Sequence, residues 1–390
     1  MPRVKCIKCH REETVLRAGF IRGKQRFFCK ACDYHFTLYR ERDNEKSTKR
    51  KNRSTTIIDI AKAMGIAVST VSRALKDHPD ISLPTKKAVR EIATALNYQP
   101  NTLAQGLSKR ETRIIGVIIP DIETYFFSSI LTGIQHAASN AGYKVMISQS
   151  NESHEAEVAH THAFMTNWVD GLIICHSKET KTFEHIKMYV KKGIPIIHFD
   201  RVCEDMETSK VLLDDMNGGF EITNHLIEQG CKRIALLGGP RHLLVTKKRL
   251  DGYLKALKKN NISYDPSLVC YTDLSIKSIL DTVDVILERD KSIDALFCIS
   301  DIGAIRILVH LKEKGIKVPE QLCVAGFGNE PMGEIIDPSL TSFNLQTFKI
   351  GETAAKLFLD QIIEGEDYKV KTKLVKGSLI IRKSTLRIPQ

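Results

Sequence analysis

Residues 56–75, TIIDIAKAMGIAVSTVSRAL, constrain this chain more than any other stretch. Apolar residues fall at Ile57, Ile60, Ala61 and Met64, and again at Val71, Ala74 and Leu75. Steps of three and four put each set on one helical face. Gly65 lies between the sets, where a tight turn calls for a residue that accepts positive φ. Thr56 followed three residues later by Asp59 reads as a helix start, because a hydroxyl caps free N–H groups and an acid suits the first turn. Two short helices joined in this way, the second starting at Val68, make a helix-turn-helix with a recognition helix over 68–75. The spacing alone also fits any small helical hairpin.

Charge narrows the choice. The net charge is +12, and residues 1–110 hold 24 Lys and Arg against 10 Asp and Glu. The remainder, 111–390, holds 34 against 36, so the whole basic excess lies in the N-terminal part. A basic segment ahead of a neutral body fits phosphate binding. At 390 residues with 42% apolar and 27% charged residues, the chain has room for two or three domains with real cores. No apolar run approaches membrane-spanning length, and MPRVKCIKCH has no apolar leader segment, so a cytoplasmic protein is expected.

Four of the ten cysteines cluster near the N-terminus, as Cys6-x2-Cys9 and Cys29-x2-Cys32. Two such knuckles can close a tetrahedral four-thiolate site for Zn²⁺, and a metal staple explains how so short a segment folds. The alternative is four free thiols in a disordered tail. The stretch VLRAGFIRGKQRFFCKACDYHFT resembles the N-terminal zinc ribbons of insertion-sequence transposases, on Gly19, Gly23, Gln25, Arg26, Phe27, Phe28, Phe36 and Thr37. His10 and His35 lie beside the knuckles and are read as spectators. Residues 39–54 are charged, polar and without periodicity, as in a basic linker. Cys175, Cys298 and Cys323 lie in apolar runs and read as buried hydrophobes, with no disulfides expected.

A third helix is expected over about 83–97, followed by NYQPNTLAQGLSKR. Together with TIIDIAKAMGIAVSTVSRAL, this resembles the lactose/galactose repressor family, and the resemblance continues to the end of the chain. It implies that Val68, Ser69 and Arg73 read bases, with Thr70 and Ser72 placed for phosphates. The chemistry agrees: arginine chelates guanine and an aliphatic group meets a thymine methyl. Ala67 departs from the family's usual serine cap, a loss of roughly 1 kcal/mol. Residues 101–108 match the family's hinge helix, too short to stand alone in water. Leu107 matches the minor-groove wedge, Ala104 its close-packing neighbour, and Asn101 the start of the segment.

From Arg113 onward, short apolar runs such as RIIGVIIPD, DGLIICH, IPIIHFDR, RIALLGG, ALFCIS and LCVAGFG alternate with helical segments. That alternation predicts doubly wound parallel sheets. The resemblance implies a periplasmic-binding-protein-like core of two such subdomains. The expected division is multidomain: zinc ribbon 1–38, linker 39–54, all-α helix-turn-helix head 55–100, hinge 101–112 and core 113–390. Within the core, one subdomain is placed at about 113–214 plus 317–346 and the other at about 215–316 plus 347–390. Ligands in such folds bind beyond the carboxyl ends of the strands. Asp121, Phe126, Phe127, Arg201, Arg249 and Asp301 stand there and match the family's effector cleft, Phe127 offering an apolar face. Gly326-Phe327-Gly328-Asn329 lacks the family's usual aspartate, and Leu243 and Val245 replace polar contacts of purine-binding members. The histidines look scattered, and no catalytic motif is present.

The expected function is a non-enzymatic, sequence-specific repressor. It would bind double-stranded operator DNA as a homodimer under control of a small carbohydrate effector. A transport-type binding protein and a transposition accessory protein are the alternatives.

Overall fold

A computed structural model describes residues 4–6, 8–21, 24–37, 55–99, 111–166 and 169–387. The chain divides into two compact units, Met1–Thr102 and Leu103–Gln390. No helix among the described residues is long and apolar enough to cross a membrane.

The first unit opens with an antiparallel sheet, β1 (Val15–Ile21), β2 (Lys24–Cys29) and β3 (Tyr34–Thr37), in that order. Its small core is Cys6, Cys29, Phe27 and Phe36, with the two rings stacked at 5.7 Å. Three helices follow: α1 (Ile57–Met64), α2 (Val68–Leu75) and α3 (Leu83–Ala95). Asp59 accepts from the backbone N–H of Thr56 at 2.8 Å and from its hydroxyl at 2.7 Å. Gly65 ends α1 at φ 66°, in the left-handed region that glycine tolerates. Ile60, Ala61, Val71, Ala74, Val89 and Ala93 form the head's core.

The second unit holds two six-stranded sheets. Its first elements are β4 (Ile114–Ile119), α4 (Tyr125–Asn140), β5 (Lys144–Gln149), α5 (His154–Thr166), β6 (Gly171–Ile174), α6 (Glu184–Lys191), β7 (Ile196–Phe199) and β8 (Ser209–Leu213). Next come α7 (Asp215–Glu228), β9 (Ile234–Gly238), α8 (Leu244–Lys259), β10 (Val269–Tyr271), α9 (Ile276–Arg289), β11 (Ala295–Cys298) and α10 (Asp301–Glu313). The chain closes with β12 (Cys323–Phe327), α11 (Met332–Ile335), β13 (Thr341–Asn344), α12 (Thr347–Glu364), β14 (Thr372–Val375) and β15 (Ser378–Ile380). The sheet orders are β5-β4-β6-β7-β8-β14 and β10-β9-β11-β12-β13-β15. All pairs are parallel except β13–β15.

Central strands are buried on both faces, as parallel sheets covered by helices must be. Along β4 the residues alternate: Ile115, Val117 and Ile119 join one apolar cluster and Ile118 another. On one face α4 and α12 cross at glycines. A Cβ at Gly133 would overlap the carbonyl oxygen of Phe348, and one at Gly351 would overlap that of Ile130.

This topology corrects the expected division of the core. Residues 317–346 do not return to the first subdomain, because β12 and β13 continue the sheet of β9 and β11. The return comes later: α12 packs on β6, β7 and β8, and β14 pairs with β8. The chain therefore passes between lobes three times, after β8, β13 and β14.

Candidate functional site

On the head, α2 buries Val71 and Ala74 and turns its other side outward. Val68 is 38% exposed, Ser69 and Arg73 are exposed, and Thr70 and Ser72 are half-buried. Residues 68, 69, 72 and 73 are spaced to share one helical face. Arg73 pairs with no described carboxylate. Ala67 holds the N-cap position with φ −68° and ψ 145° and supplies no side-chain bond. Asn101, Ala104 and Leu107 lie outside the described residues.

Beside the small N-terminal sheet, the Sγ atoms of Cys6, Cys9, Cys29 and Cys32 all lie within 4.8 Å of one another. Cys6 and Cys32 approach to 3.5 Å, as do Cys9 and Cys29. Thiolates bonded at about 2.3 Å around a tetrahedral ion stand just under about 4 Å apart, so the cluster has the dimensions of such a site. A hydrogen bond from the Thr14 hydroxyl, 3.3 Å away, is the chief cause holding the Cys29 thiol down, to about 6. On β1, Phe20 stands at 74% exposure beside Gly19.

The residues expected to bind an effector follow strand ends or lie in the first turns of the helices beyond them, and most are already engaged. Arg249 is buried on α8; its Nε donates to Asp215 at 2.8 Å and its NH1 to the Ile299 carbonyl at 2.5 Å. Its guanidinium lies 3.8 Å from the centre of the Phe327 ring. Burial pushes the Asp215 carboxyl up to about 6, against the pull of Arg249. Asp301, only 2% exposed, accepts from the Ser342 hydroxyl at 2.7 Å and from the Glu330 N–H at 2.8 Å. Burial raises it too, to about 6. Arg201 is clamped to Glu152 at 2.5 Å and donates to the His176 carbonyl. Asp121 accepts from the N–H of Glu123, a local turn bond. Phe127, at 5% exposure, packs into the apolar core, and the half-buried ring beside it is Phe126.

Sequence reasoning missed the partners Asp215, Glu152, Ser342 and Phe327, which come from distant segments. It also read the histidines as scattered. Four of them, His154, His176, His185 and His198, converge on Glu157 beneath the first sheet. The one local signal was His154-x2-Glu157, a one-turn spacing on a helix.

Residues 112–381 match the family model for periplasmic binding proteins and the sugar-binding domain of the LacI family, and residues 56–101 match that for bacterial regulatory proteins of the lacI family. The chain is similar to the HTH-type transcriptional repressor CytR of Escherichia coli (strain K12), 31% identical over 87% of this chain and 99% of that one. It is 30% identical to the ribose operon repressor of Halalkalibacterium halodurans, over 82% and 96% of the two chains. Among solved structures, the lac repressor dimer bound to operator and the anti-inducer ONPF matches with TM-score 0.75 at 25% identity, over 86% of this chain and all of that one. A CelR–cellobiose complex matches with TM-score 0.65 at 27% identity, over 85% and 99%. A helix-turn-helix with an outward face on α2, two parallel-sheet lobes and these matches converge: the chain belongs to the LacI family of DNA-binding transcription regulators.

Proposed function

We propose that this protein is a repressor that binds a near-palindromic operator as a homodimer and responds to a carbohydrate, or a close derivative, held between its lobes. The observation that carries this reading is the outward face of α2 on a head otherwise closed around its core, in one chain with a two-lobed ligand-binding fold. With α2 in the major groove, Arg73 chelates guanine and Val68 meets a thymine methyl. Ser69 adapts to either base, and Thr70 and Ser72 anchor to phosphates. Asn101, Ala104 and Leu107 are assigned to the hinge on sequence, Leu107 wedging a base step open.

In the cleft, Arg249 and Asp301 are the groups suited to paired ring hydroxyls. A hydroxyl that accepts from Arg249 NH1 takes the place of the Ile299 carbonyl. One that donates to Asp301 competes with Ser342. Binding between lobes favours their closure, which changes the separation of the paired hinge segments and so the affinity for DNA. The four ribbon thiolates fit a structural Zn²⁺, which would supply the staple that this small sheet lacks.

Footprinting of the purified protein on its own upstream region, with and without a panel of sugars, tests the reading. A protected site that a sugar strengthens or abolishes is expected, and Arg73→Ala should erase the sequence preference. No protection under any condition refutes the proposal.

A further inference from the structure

Glu157 is fully buried on α5, yet no Lys or Arg among the described residues pairs with it. Its Oε1 accepts from His176 Nδ1 at 2.7 Å and His185 Nε2 at 2.8 Å. Its Oε2 accepts from the Ser177 N–H at 2.6 Å and the Thr180 hydroxyl at 2.9 Å. Behind it, His176 Nε2 meets His198 Nδ1 at 2.9 Å, and His198 Nε2 is buried without a partner. Buried carboxylates are normally paired with a cation or bound to a metal.

We propose that His154, Glu157 and His185 form a binding site for a divalent transition-metal ion inside the first lobe. One ring nitrogen of His154, one of His185 and a Glu157 carboxylate oxygen lie within 4.8 Å of one another. His154 and Glu157 stand one turn apart on α5, so they share a face; His185 comes from the start of α6. Two imidazoles and one carboxylate suit Zn²⁺, Co²⁺ or Ni²⁺ and leave a coordination position open. His154 is half-buried, which marks the side by which an ion enters. Ser177, Thr180 and His176 orient the carboxylate as outer partners do in metal sites, with His198 supporting His176. The 2.8 Å between His185 and Glu157 is shorter than the roughly 3.3 Å between ligands of a tetrahedral ion, so binding requires these two atoms to separate by about half an ångström. To coordinate through Nε2, His185 shifts its proton to Nδ1 if the ring is neutral, or releases one to solvent if the ring is charged.

The site bears on the cleft. Residues 177–180, held by Glu157, reach the other lobe. The Lys178 carbonyl lies 2.7 Å from His242 Nε2, and Lys178 Nζ donates to the Asp273 carbonyl at 3.1 Å. An ion that fixes Glu157 stiffens this bridging loop and so favours the closed lobes.

The test is cobalt(II) titration of the full chain after chelator treatment, read by absorption and bound metal per chain. Two equivalents are expected, one with intense thiolate charge-transfer bands from the ribbon and one with only weak d–d bands. Glu157→Gln and His154→Ala should each lose the second and keep the first; Cys29→Ser should do the reverse. His154→Ala changes a half-buried residue and guards against misfolding of the Glu157 variant, with circular dichroism as the control. If the wild type takes up only thiolate-bound cobalt, or if both variants keep the weak-band equivalent, the proposal is overturned. Loss of the thiolate bands alone counts against the ribbon instead.

Discussion

Asp301 should make the core less stable as pH rises through mild acidity. The carboxyl is raised from its ordinary value of 3.8 to about 6, chiefly by burial, despite bonds from Ser342 and Glu330. Between those values the folded chain keeps a proton that the unfolded chain has released. Stability from this group is therefore full below the unfolded value and falls as pH rises through the folded one. Two pH units correspond to about 3 kcal/mol, of which about 2 kcal/mol should be lost between roughly pH 4.5 and 7. Asp301→Asn cannot ionise. Its amide meets the Glu330 N–H imperfectly, so the variant is weaker at every pH, but the pH dependence of the difference isolates the ionisation. Urea unfolding followed by circular dichroism across this range should show the wild type's advantage shrinking by about 2 kcal/mol. An advantage that stays constant or grows would refute the reasoning, because it would mean that the hydrogen bonds outweigh burial.

Three further outcomes follow from the same geometry. Ala67→Ser should stabilise the head by about 1 kcal/mol, since the exposed N-cap already has the extended conformation that a capping hydroxyl needs; calorimetry of the head transition checks this. Gly351→Ala should cost the core about 2–3 kcal/mol, because its Cβ meets the Ile130 carbonyl on a neighbouring helix and no side chain can move aside; denaturant midpoints measure it. Cys29→Ser should remove one bound metal ion per chain and the hydrogen-exchange protection of residues 15–37, while leaving unfolding of the core unchanged.

The parts of this molecule that could be read from sequence are those set by neighbours along the chain. The spacing of Ile57, Ile60, Ala61, Val71 and Ala74 encodes the first two head helices, and Gly65 the turn between them. Doubly buried strands such as Ile114–Ile119 announce themselves as unbroken apolar runs. Strand partnership is different. Whether Cys323–Phe327 joins one sheet or the other depends on its pairing with Ala295–Cys298, which no local period records. The surroundings of Phe127 could not be read either, because an aromatic in the first turn of a helix reads alike whether it lines a cleft or fills a core. The Glu157 cluster draws on α5, α6, β7 and the end of β6, so only its two residues on α5 left a trace in spacing.

The three passages between lobes also bear on how the protein is made. The first sheet stays one strand short until Thr372–Val375 is synthesised, and the second until Ser378–Ile380 follows. A ribosome therefore delivers the head, whose helices are complete by Ala95, long before either lobe can close its sheet. For most of translation the nascent chain carries a DNA-binding module with no means of sensing an effector. Responsiveness arrives all at once, with strands β14 and β15 only a few residues apart, so a chain cut short before residue 372 loses an edge strand from both lobes together.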